Sequence, residues 1–234
     1  MILCKWEQLP PELQTEDVHY YYDILNKKRF SLFLKRLFDI VISILMLIAL
    51  SPIFLITAIA IKIDSPGPVF YRQIRVTQYN RQFRIFKFRS MVQNADKGSQ
   101  VTVKEDSRVT RVGRFIRKYR LDEIGQLIDV LRGTMTFVGT RPEVPKYTKQ
   151  YTSEMMATLL LPAGVTNLTS MYYSDEAKLL NTADDTDKMY VEQILPRKMY
   201  FNLKGIEEFS LLGDIKLMIM TLLAVCGKGN DKKS

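Results

Sequence analysis

The stretch FDIVISILMLIALSPIFLITAIAI, Phe38 to Ile61, decides the fold. As a helix it would extend about 36 Å, at about 1.5 Å per residue, which is enough to cross the hydrocarbon core of a bilayer. Ser51-Pro52 lies near its middle, where proline removes a backbone donor and bends a helix. We therefore interpret residues 35–62 as a membrane helix that is broken at Ser51-Pro52.

Both flanks of this stretch are basic. The cations before it are Lys27, Lys28, Arg29, Lys35 and Arg36, and those after it are Lys62, Arg72, Arg75, Arg81 and Arg84. Because basic flanks stay on the cytoplasmic side, the pattern favours a re-entrant helix that dips into one leaflet and returns. A single span with a proline kink and a buried core helix remain as alternatives.

Composition limits the chemistry of the chain. The formal net charge of +9 indicates an anionic partner, which could be nucleic acid, a phosphorylated metabolite or an anionic lipid surface. The single histidine, His19, excludes a histidine-rich zinc site, and a serine or cysteine triad would need that one residue. Cys4 and Cys226 form no disulfide or metal pattern, which fits a reducing cytoplasm.

The remaining sequence predicts an α+β protein. Residues 1–34 are mixed and polar and are interpreted as an N-terminal arm, residues 63–227 as a mostly helical cytoplasmic domain with a short β-hairpin or small sheet, and residues 228–234 as a mobile tail. A second apolar run, Phe209 to Val225, carries Asp214 and Lys216 and is short for a span. It predicts a core helix or an interfacial helix.

The basic segment RQFRIFKFRSM alternates like a strand, with a slip between Ile85 and Phe86. One β-bulge at that point would place Arg84, Lys87 and Arg89 on the same side. That side could bind an anion, or it could be a solvated basic edge that prevents aggregation. The sequence alone leaves both interpretations open.

The stretch YRLDEIGQ, Tyr119 to Gln126, joins two apolar stripes that are out of phase. The first stripe consists of Val112, Phe115, Ile116 and Tyr119, and the second of Ile124, Leu127, Ile128 and Leu131. The phase change predicts a break at Leu121-Asp122, with Asp122 at or near the start of a second helix, where anions also bind. A carboxylate pair beside so many cations suits phosphate chemistry, although surface charge on a helix is the simpler alternative.

Several ordered segments resemble the bacterial sugar transferase family, the monotopic polyprenyl-phosphate phosphoglycosyl transferases in their compact form. They are KRLFDIVISILMLIALSPIF, DSPGPVFYRQIRV, FRIFKFRSM, SRVTRVGRFIRKYRLDEIGQL, VLRGTMTFVGTRPE and EEFSLLGDIKLMIMTLLA. The resemblance runs from about Lys35 to Val225. It implies transfer of a sugar 1-phosphate from a UDP-sugar to undecaprenyl phosphate, at the cytoplasmic face of the bacterial inner membrane. It also supports the re-entrant helix and gives no role to nucleic acid, whereas homo-oligomerisation stays open.

The resemblance also assigns roles to residues. Asp122 would be a covalent nucleophile, Glu123 its dyad partner, and both would hold Mg²⁺. Further residues are implied in substrate binding: Lys87, Arg89, Arg117, Arg141 and Pro142.

The chain departs from the family pattern downstream of the dyad. Thr134 replaces an aspartate, Thr140 a proline and Asn167 a glycine, and Ile124-Gly125 stands where Leu-Pro is usual. These differences leave two alternatives to the enzyme: a catalytically weak relative that acts as a membrane scaffold, and a basic, membrane-tethered anion-binding module. Binding by that module would weaken with salt and would not need Asp122.

Overall fold

The computed structural model describes residues 3–92, 108–167, 169 and 185–227. Its helices are α1 Glu16–Lys27, α2 Arg29–Asp64, α3 Arg111–Lys118, α4 Gln126–Arg132, α5 Pro145–Thr148, α6 Thr186–Met189, α7 Leu195–Glu207 and α8 Leu211–Gly227. Its strands are β1 Phe70–Tyr71, β2 Ile74–Val76, β3 Gln82–Arg84, β4 Lys87–Phe88, β5 Met135–Val138 and β6 Ala163–Thr166. The strands form three two-stranded sheets, so the described chain is mostly helical with small sheets.

The long apolar segment is one continuous helix, α2, of 36 residues, and Pro52 lies inside it. The helix is therefore not interrupted at Ser51-Pro52, where the sequence predicts a break. The local sequence explains how the helix continues. Pro52 has no amide hydrogen for the carbonyl of Ile48, and the Ser51 hydroxyl donates to that carbonyl instead, at 2.8 Å.

Helix α2 is largely exposed over its apolar length. It is the one helix of the described residues that is long and apolar enough to cross a membrane, and 11% of its most apolar 18 residues are buried. The core of a globular protein buries such side chains, so this exposure argues against the buried core helix and is consistent with a membrane anchor. A return through the same leaflet stays a prediction.

The chain forms two compact units, and α2 contributes its residues up to Asp39 to the first and those from Ile40 to the second. Unit 1 consists of Met1–Asp39, Arg75–Phe83 and Gly133–Ser234. Its main core includes Leu13, Val18 and Leu25 from the first 27 residues, packed with Leu160 and Ile206. The N-terminal segment is thus part of a core, because its apolar side chains recur at helical spacing in α1 between polar ones.

A parallel pair of strands, β5 and β6, lies in unit 1 with Met135 opposite Ala163 and Val138 opposite Thr166. The chain makes a close approach beyond β5, because a β-carbon on Gly164 would lie 2.2 Å from the carbonyl oxygen of Gly139. The start of α2 is tied to the same strand. Lys35 donates to the carbonyl of Val138 at 2.9 Å and pairs with Asp214, and Thr136 donates to Asp39 at 2.7 Å.

Unit 2 consists of Ile40–Ile74 and Arg84–Arg132. Its core contains Ile61 from α2, Phe88 from β4 and Ile116 from α3. Strands β1 and β4 pair antiparallel, with Phe70 opposite Phe88. Strand β3 ends at Arg84 and β4 begins at Lys87, so the strands are interrupted at the two residues for which the sequence predicts a bulge, although the Ile85 amide still donates to the carbonyl of Gln73 at 3.0 Å.

Candidate active site

The acid pair lies in a short connection between two helices of unit 2. Helix α3 ends at Lys118, Arg120 has a left-handed backbone with φ of 53°, and Leu121–Glu123 form one 3₁₀ turn before α4. The predicted break between the two helices is confirmed, and its cause is the left-handed residue that ends α3. Asp122 lies in the turn ahead of α4 and not in its first turn.

The turn is held by apolar side chains on each side of the dyad. Leu121 and Ile124 pack against the cluster of Ile61, Phe88 and Ile116. Phe54 and Ala58 of α2 pack against the same cluster. The side chains that support the dyad therefore include residues of the long apolar helix α2.

Two cations lie against Glu123. Lys87 Nζ is 3.6 Å from Glu123 Oε1, and Arg120 Nη1 is 3.7 Å from Glu123 Oε2. The Lys87 and Glu123 side chains are 20% and 18% exposed, whereas Arg120 is 66% exposed. Because solvent weakens exposed ion pairs, Lys87 is the more important partner.

The Asp122 carboxyl has a perturbed proton affinity. Burial raises its pKa above the ordinary value, and the adjacent Glu123 carboxylate raises it further. Lys87, and to a smaller extent Arg117, lower the pKa of Asp122 and offset part of that rise. A half-buried carboxylate among cations is a candidate for reaction with an anionic substrate, since the cations reduce the repulsion between the two.

The structure thus brings four predicted site residues together, namely Asp122, Glu123, Lys87 and Arg117. Arg117 is exposed on α3, where it is available to a ligand. Sequence analysis missed Arg120. Its place in the basic run before the dyad was a signal, but a left-handed arginine has no pattern of its own.

Arg89 has a different environment. It is buried, and its guanidinium donates to the carbonyls of Pro66 and Ser65, both at 2.7 Å, and to the Ser65 hydroxyl at 2.9 Å. These bonds fix the turn after α2 and identify Arg89 as a structural residue of unit 2. Contact between Arg89 and a phosphate stays a prediction, and these bonds leave it fewer donors for that purpose.

Arg141 and Pro142 belong to unit 1, after β5. Pro142 is buried, and its carbonyl accepts from Arg75 Nη1 at 3.1 Å. The next residue, Glu143, was not singled out in the sequence. It is buried and accepts from Tyr190 Oη at 2.5 Å and from Lys198 Nζ at 3.2 Å, which anchors the segment to α7 and the turn before it.

The dyad is compatible with a magnesium ion. Mg²⁺ is usually held by one or two carboxylates together with waters and substrate phosphates. Among the described residues no cluster of three His, Cys, Asp or Glu side chains forms a protein cage for a metal. Asp122 and Glu123 supply the two carboxylates, and their mutual repulsion, visible in the raised pKa of Asp122, is relieved by a cation.

Comparisons with known proteins show which family and which relatives this chain is similar to. The family model described as bacterial sugar transferase matches residues 30–228. The chain is 37% identical over 197 residues to the UDP-N-acetylgalactosamine-undecaprenyl-phosphate N-acetylgalactosaminephosphotransferase of Aeromonas hydrophila, covering 82% of this chain and 44% of that protein.

Two further relatives differ in length. The chain is 35% identical over 233 residues to the undecaprenyl-phosphate glucose phosphotransferase of Komagataeibacter xylinus, covering 91% of this chain and 42% of that one. It is 32% identical over 208 residues to the exopolysaccharide production protein ExoY of Sinorhizobium fredii, covering 82% of this chain and 85% of that protein. The chain thus spans less than half of the first two relatives and most of the third.

Proposed function

Because the chain belongs to the bacterial sugar transferase family, we propose that it transfers a sugar 1-phosphate from a UDP-sugar to undecaprenyl phosphate. The observation that carries this proposal is the half-buried Asp122, flanked by Glu123 and influenced by the cations of Lys87 and Arg117. The names of the relatives from Aeromonas hydrophila and Komagataeibacter xylinus describe reactions of this class. The product would be the first lipid-linked intermediate of a surface polysaccharide.

In the first step, a carboxylate oxygen of Asp122 attacks the phosphorus next to the sugar. The bond from that phosphorus to the bridging oxygen of UDP breaks, and UMP leaves with the electron pair. The product is a sugar phosphate joined to Asp122 as an acyl phosphate. Lys87 and Arg117 support this step because both lie close enough to lower the pKa of Asp122, and the same charges would reduce repulsion of the incoming diphosphate.

In the second step, a phosphate oxygen of undecaprenyl phosphate attacks the same phosphorus. The bond between that phosphorus and Asp122 breaks, which restores the carboxylate and forms the diphosphate of the lipid-linked sugar. The acceptor cannot leave the bilayer, so the reaction needs a site at the membrane surface. The packing of Phe54, Ala58 and Ile61 of α2 in the cluster under the dyad supports such a location.

Asp122 and Glu123 are the residues that would hold magnesium. When bound, the ion would supply positive charge to the phosphate oxygens and so stabilise the charge of the transition state. Glu123 would also stay paired with Lys87, which keeps its carboxylate oriented beside Asp122. The family resemblance and the two adjacent carboxylates are the grounds for this assignment.

The test is the Asp122→Asn variant, assayed in detergent micelles with a panel of UDP-sugars. We expect wild-type protein to release about one UMP per chain without acceptor and to turn over when undecaprenyl phosphate is added. Asp122→Asn should lose UMP release by a factor of at least about 10³, since the nucleophile is removed. Asp187→Asn, a partly exposed aspartate of unit 1, is the matched control.

The outcomes separate the alternatives. Normal UMP release by Asp122→Asn, or an adduct that mass spectrometry places on another side chain, would contradict the covalent role. If wild-type protein released no nucleotide from any UDP-sugar, the scaffold alternative suggested by Thr134 would stand. The sugar that gives the highest rate in the panel identifies the donor.

A further inference from the structure

A second cationic cluster lies in unit 2, formed around the ring of Phe86. The guanidinium carbon of Arg72 lies 3.3 Å from the centre of that ring, and that of Arg132 lies 5.2 Å from it. Arg84 is close enough to act electrostatically on Arg72. The cluster adjoins the dyad, because Phe86 precedes Lys87 and a β-carbon on Gly125 would lie 3.0 Å from the Phe86 carbonyl oxygen.

The Arg72 guanidinium is held in one orientation. Its Nε and Nη2 atoms both donate to the carbonyl of Arg84, at 3.2 and 2.6 Å, and its plane is supported by the Phe86 ring. These bonds use two of the five N–H groups of a guanidinium. The others have no hydrogen-bond acceptor within the described residues. A fixed guanidinium with N–H groups to spare is suited to an oxyanion, because little side-chain entropy is lost on binding.

The charges of the cluster do not balance. Three arginines, Arg72, Arg84 and Arg132, face one nearby carboxylate, Asp129, which is buried and accepts the Phe86 amide hydrogen at 2.7 Å. Burial lowers the pKa of Arg72, Asp129 raises it, and Arg132 and Arg84 lower it further. A purely structural contact with the ring needs one cation. A second and a third cation add repulsion that an anion would relieve.

We infer that Arg72 and Arg132 form a binding site for a phosphate group beside the dyad. Both guanidinium groups contact one ring, and Arg132 is close enough to Arg72 to act on it electrostatically. Two ligands share this chemistry: the headgroup of an anionic phospholipid and a soluble phosphate ester. Arg72 lies eight residues after the end of α2 at Asp64, which suits a lipid headgroup. Phe86 precedes Lys87, which pairs with Glu123 of the dyad, and this position suits a soluble donor.

The backbone of Arg132 lies at the end of α4 that is farther from the dyad. The dyad precedes this helix and Arg132 is its last residue, so a helix of seven residues separates them. At about 1.5 Å per residue this corresponds to about 10 Å. Arg72 and Arg132 would therefore bind a phosphate at a second position, whether or not Asp122 forms a covalent adduct.

The experiment measures ligand binding by the full chain in neutral detergent micelles. One arm titrates inorganic pyrophosphate by calorimetry, and the other follows the melting temperature with dihexanoyl phosphatidylglycerol against dihexanoyl phosphatidylcholine. We expect Arg132→Gln and Arg72→Gln each to weaken binding about tenfold in at least one arm, since each removes charge-assisted hydrogen bonds. Arg197→Gln, an exposed arginine of unit 1, is the matched control for loss of one charge.

Each result has a definite meaning. Loss in the pyrophosphate arm supports a soluble phosphate ester as the ligand, and loss of the difference between the two lipids supports a lipid headgroup.

Lys87→Met reports binding at the dyad, and the double variant Lys87→Met/Arg132→Gln should lose the product of the two factors if the sites are separate. Arg132 is exposed, so Arg132→Gln keeps the test valid even if Arg72→Gln does not fold. Binding by Arg132→Gln that equals binding by Arg197→Gln in both arms would overturn the inference.

Discussion

At the scale of single residues, the pKa of Asp122 is shifted by its burial and by the charged groups around it. Burial and Glu123 make its carboxyl harder to ionise, while Lys87 and Arg117 make it easier. The balance leaves the pKa above the ordinary value of 3.8. Because a nucleophile must be ionised, the proposed activity should fall as the pH drops through the pKa of Asp122.

Lys87→Met tests that balance. Removal of the cation raises the pKa of Asp122, because Lys87 is the largest of the groups that lower it. The acidic limb of the plot of kcat/KM against pH should therefore move to higher pH, with a loss of about tenfold or more on the acidic side. Lys118→Met, on the exposed surface of α3, is the matched control. An unchanged acidic limb in Lys87→Met would show that Lys87 does not tune the nucleophile.

Residue chemistry also explains which site predictions could be made from the sequence. The helix break beside Asp122 was predictable because two helical stripes change phase between Tyr119 and Ile124, whereas the role of the dyad came from the family resemblance. The burial of Arg89 was not predictable. An alternating pattern predicts the face of the strand on which a side chain lies, but it does not predict which backbone carbonyls accept its hydrogen bonds. The left-handed Arg120 was likewise hidden, since any residue can follow a helix and arginine seldom adopts positive φ.

At the scale of elements, the apolar helix carries its proline because a serine precedes it. The Ser51 hydroxyl takes the place of the missing Pro52 amide at the carbonyl of Ile48. Length and composition predicted this helix, and the proline predicted a break. The helix continues through Pro52, where the neighbouring hydroxyl supplies a donor, and a bend at this position stays a prediction.

Ser51→Ala should leave the Ile48 carbonyl without that donor in an apolar environment. We expect a loss of about 1–3 kcal/mol in the free energy of unfolding. Ser51→Thr keeps a hydroxyl and should lose much less. The measurement is denaturation in micelles, followed by circular dichroism. Equal stability of the alanine and threonine variants would contradict the role assigned to the hydroxyl.

The end of α2 caps the start of α3. The Asp64 carboxylate accepts the Val112 amide hydrogen at 2.9 Å, and hydrogen bonds from Thr110 and Val112 lower the pKa of Asp64. A lowered pKa means that this stabilisation is present above pH 3.8 and is lost as the pH falls through the pKa of the folded state.

Asp64→Ala should therefore cost about 1 kcal/mol at neutral pH, as loss of a helix cap does. Asp64→Asn keeps an acceptor and should cost less. Thermal unfolding at pH 7 and again near pH 3 checks both statements, since the difference between wild type and Asp64→Ala should shrink in acid. A difference that stayed constant with pH would show that the charge of Asp64 plays no part.

At the scale of the whole molecule, the sequence predicted the presence of helices and strands better than it predicted which strands pair and which segments enter a core. The sheet of β2 and β3 could be expected, because these two strands are neighbours along the chain. The parallel pair of β5 and β6 could not, because its partners are separated by a helix and a 3₁₀ segment and their meeting depends on packing in unit 1. Residues 1–34 were predicted to be an arm because they are mixed and polar, yet their apolar side chains enter a core, both from α1 and from the segment before it. These side chains are Leu3, Leu9, Leu13, Val18, Tyr21, Tyr22, Leu25 and Leu32.

The proposed re-entrant path of α2 makes a prediction about topology. Its 36 residues would extend about 54 Å, more than a bilayer core requires, so length alone does not decide between a return and a span. In a protein without Cys4 and Cys226, single cysteines at the exposed positions Lys27 and Lys62 should react with an impermeant thiol reagent from the same side as one at Lys149. Reaction of the Lys62 position from the opposite side alone would establish a span.

The shared packing beneath the dyad has a consequence for how the protein should be handled. Phe54, Ala58 and Ile61 belong to the apolar helix and also to the cluster against which Leu121 and Ile124 rest. Lipid chain length, temperature and the choice of detergent should act on that helix directly, and through this cluster they should reach the dyad. Turnover should consequently track hydrocarbon thickness in nanodiscs of defined acyl chains, and a solubilised preparation that has lost activity should regain it when matching lipid is returned.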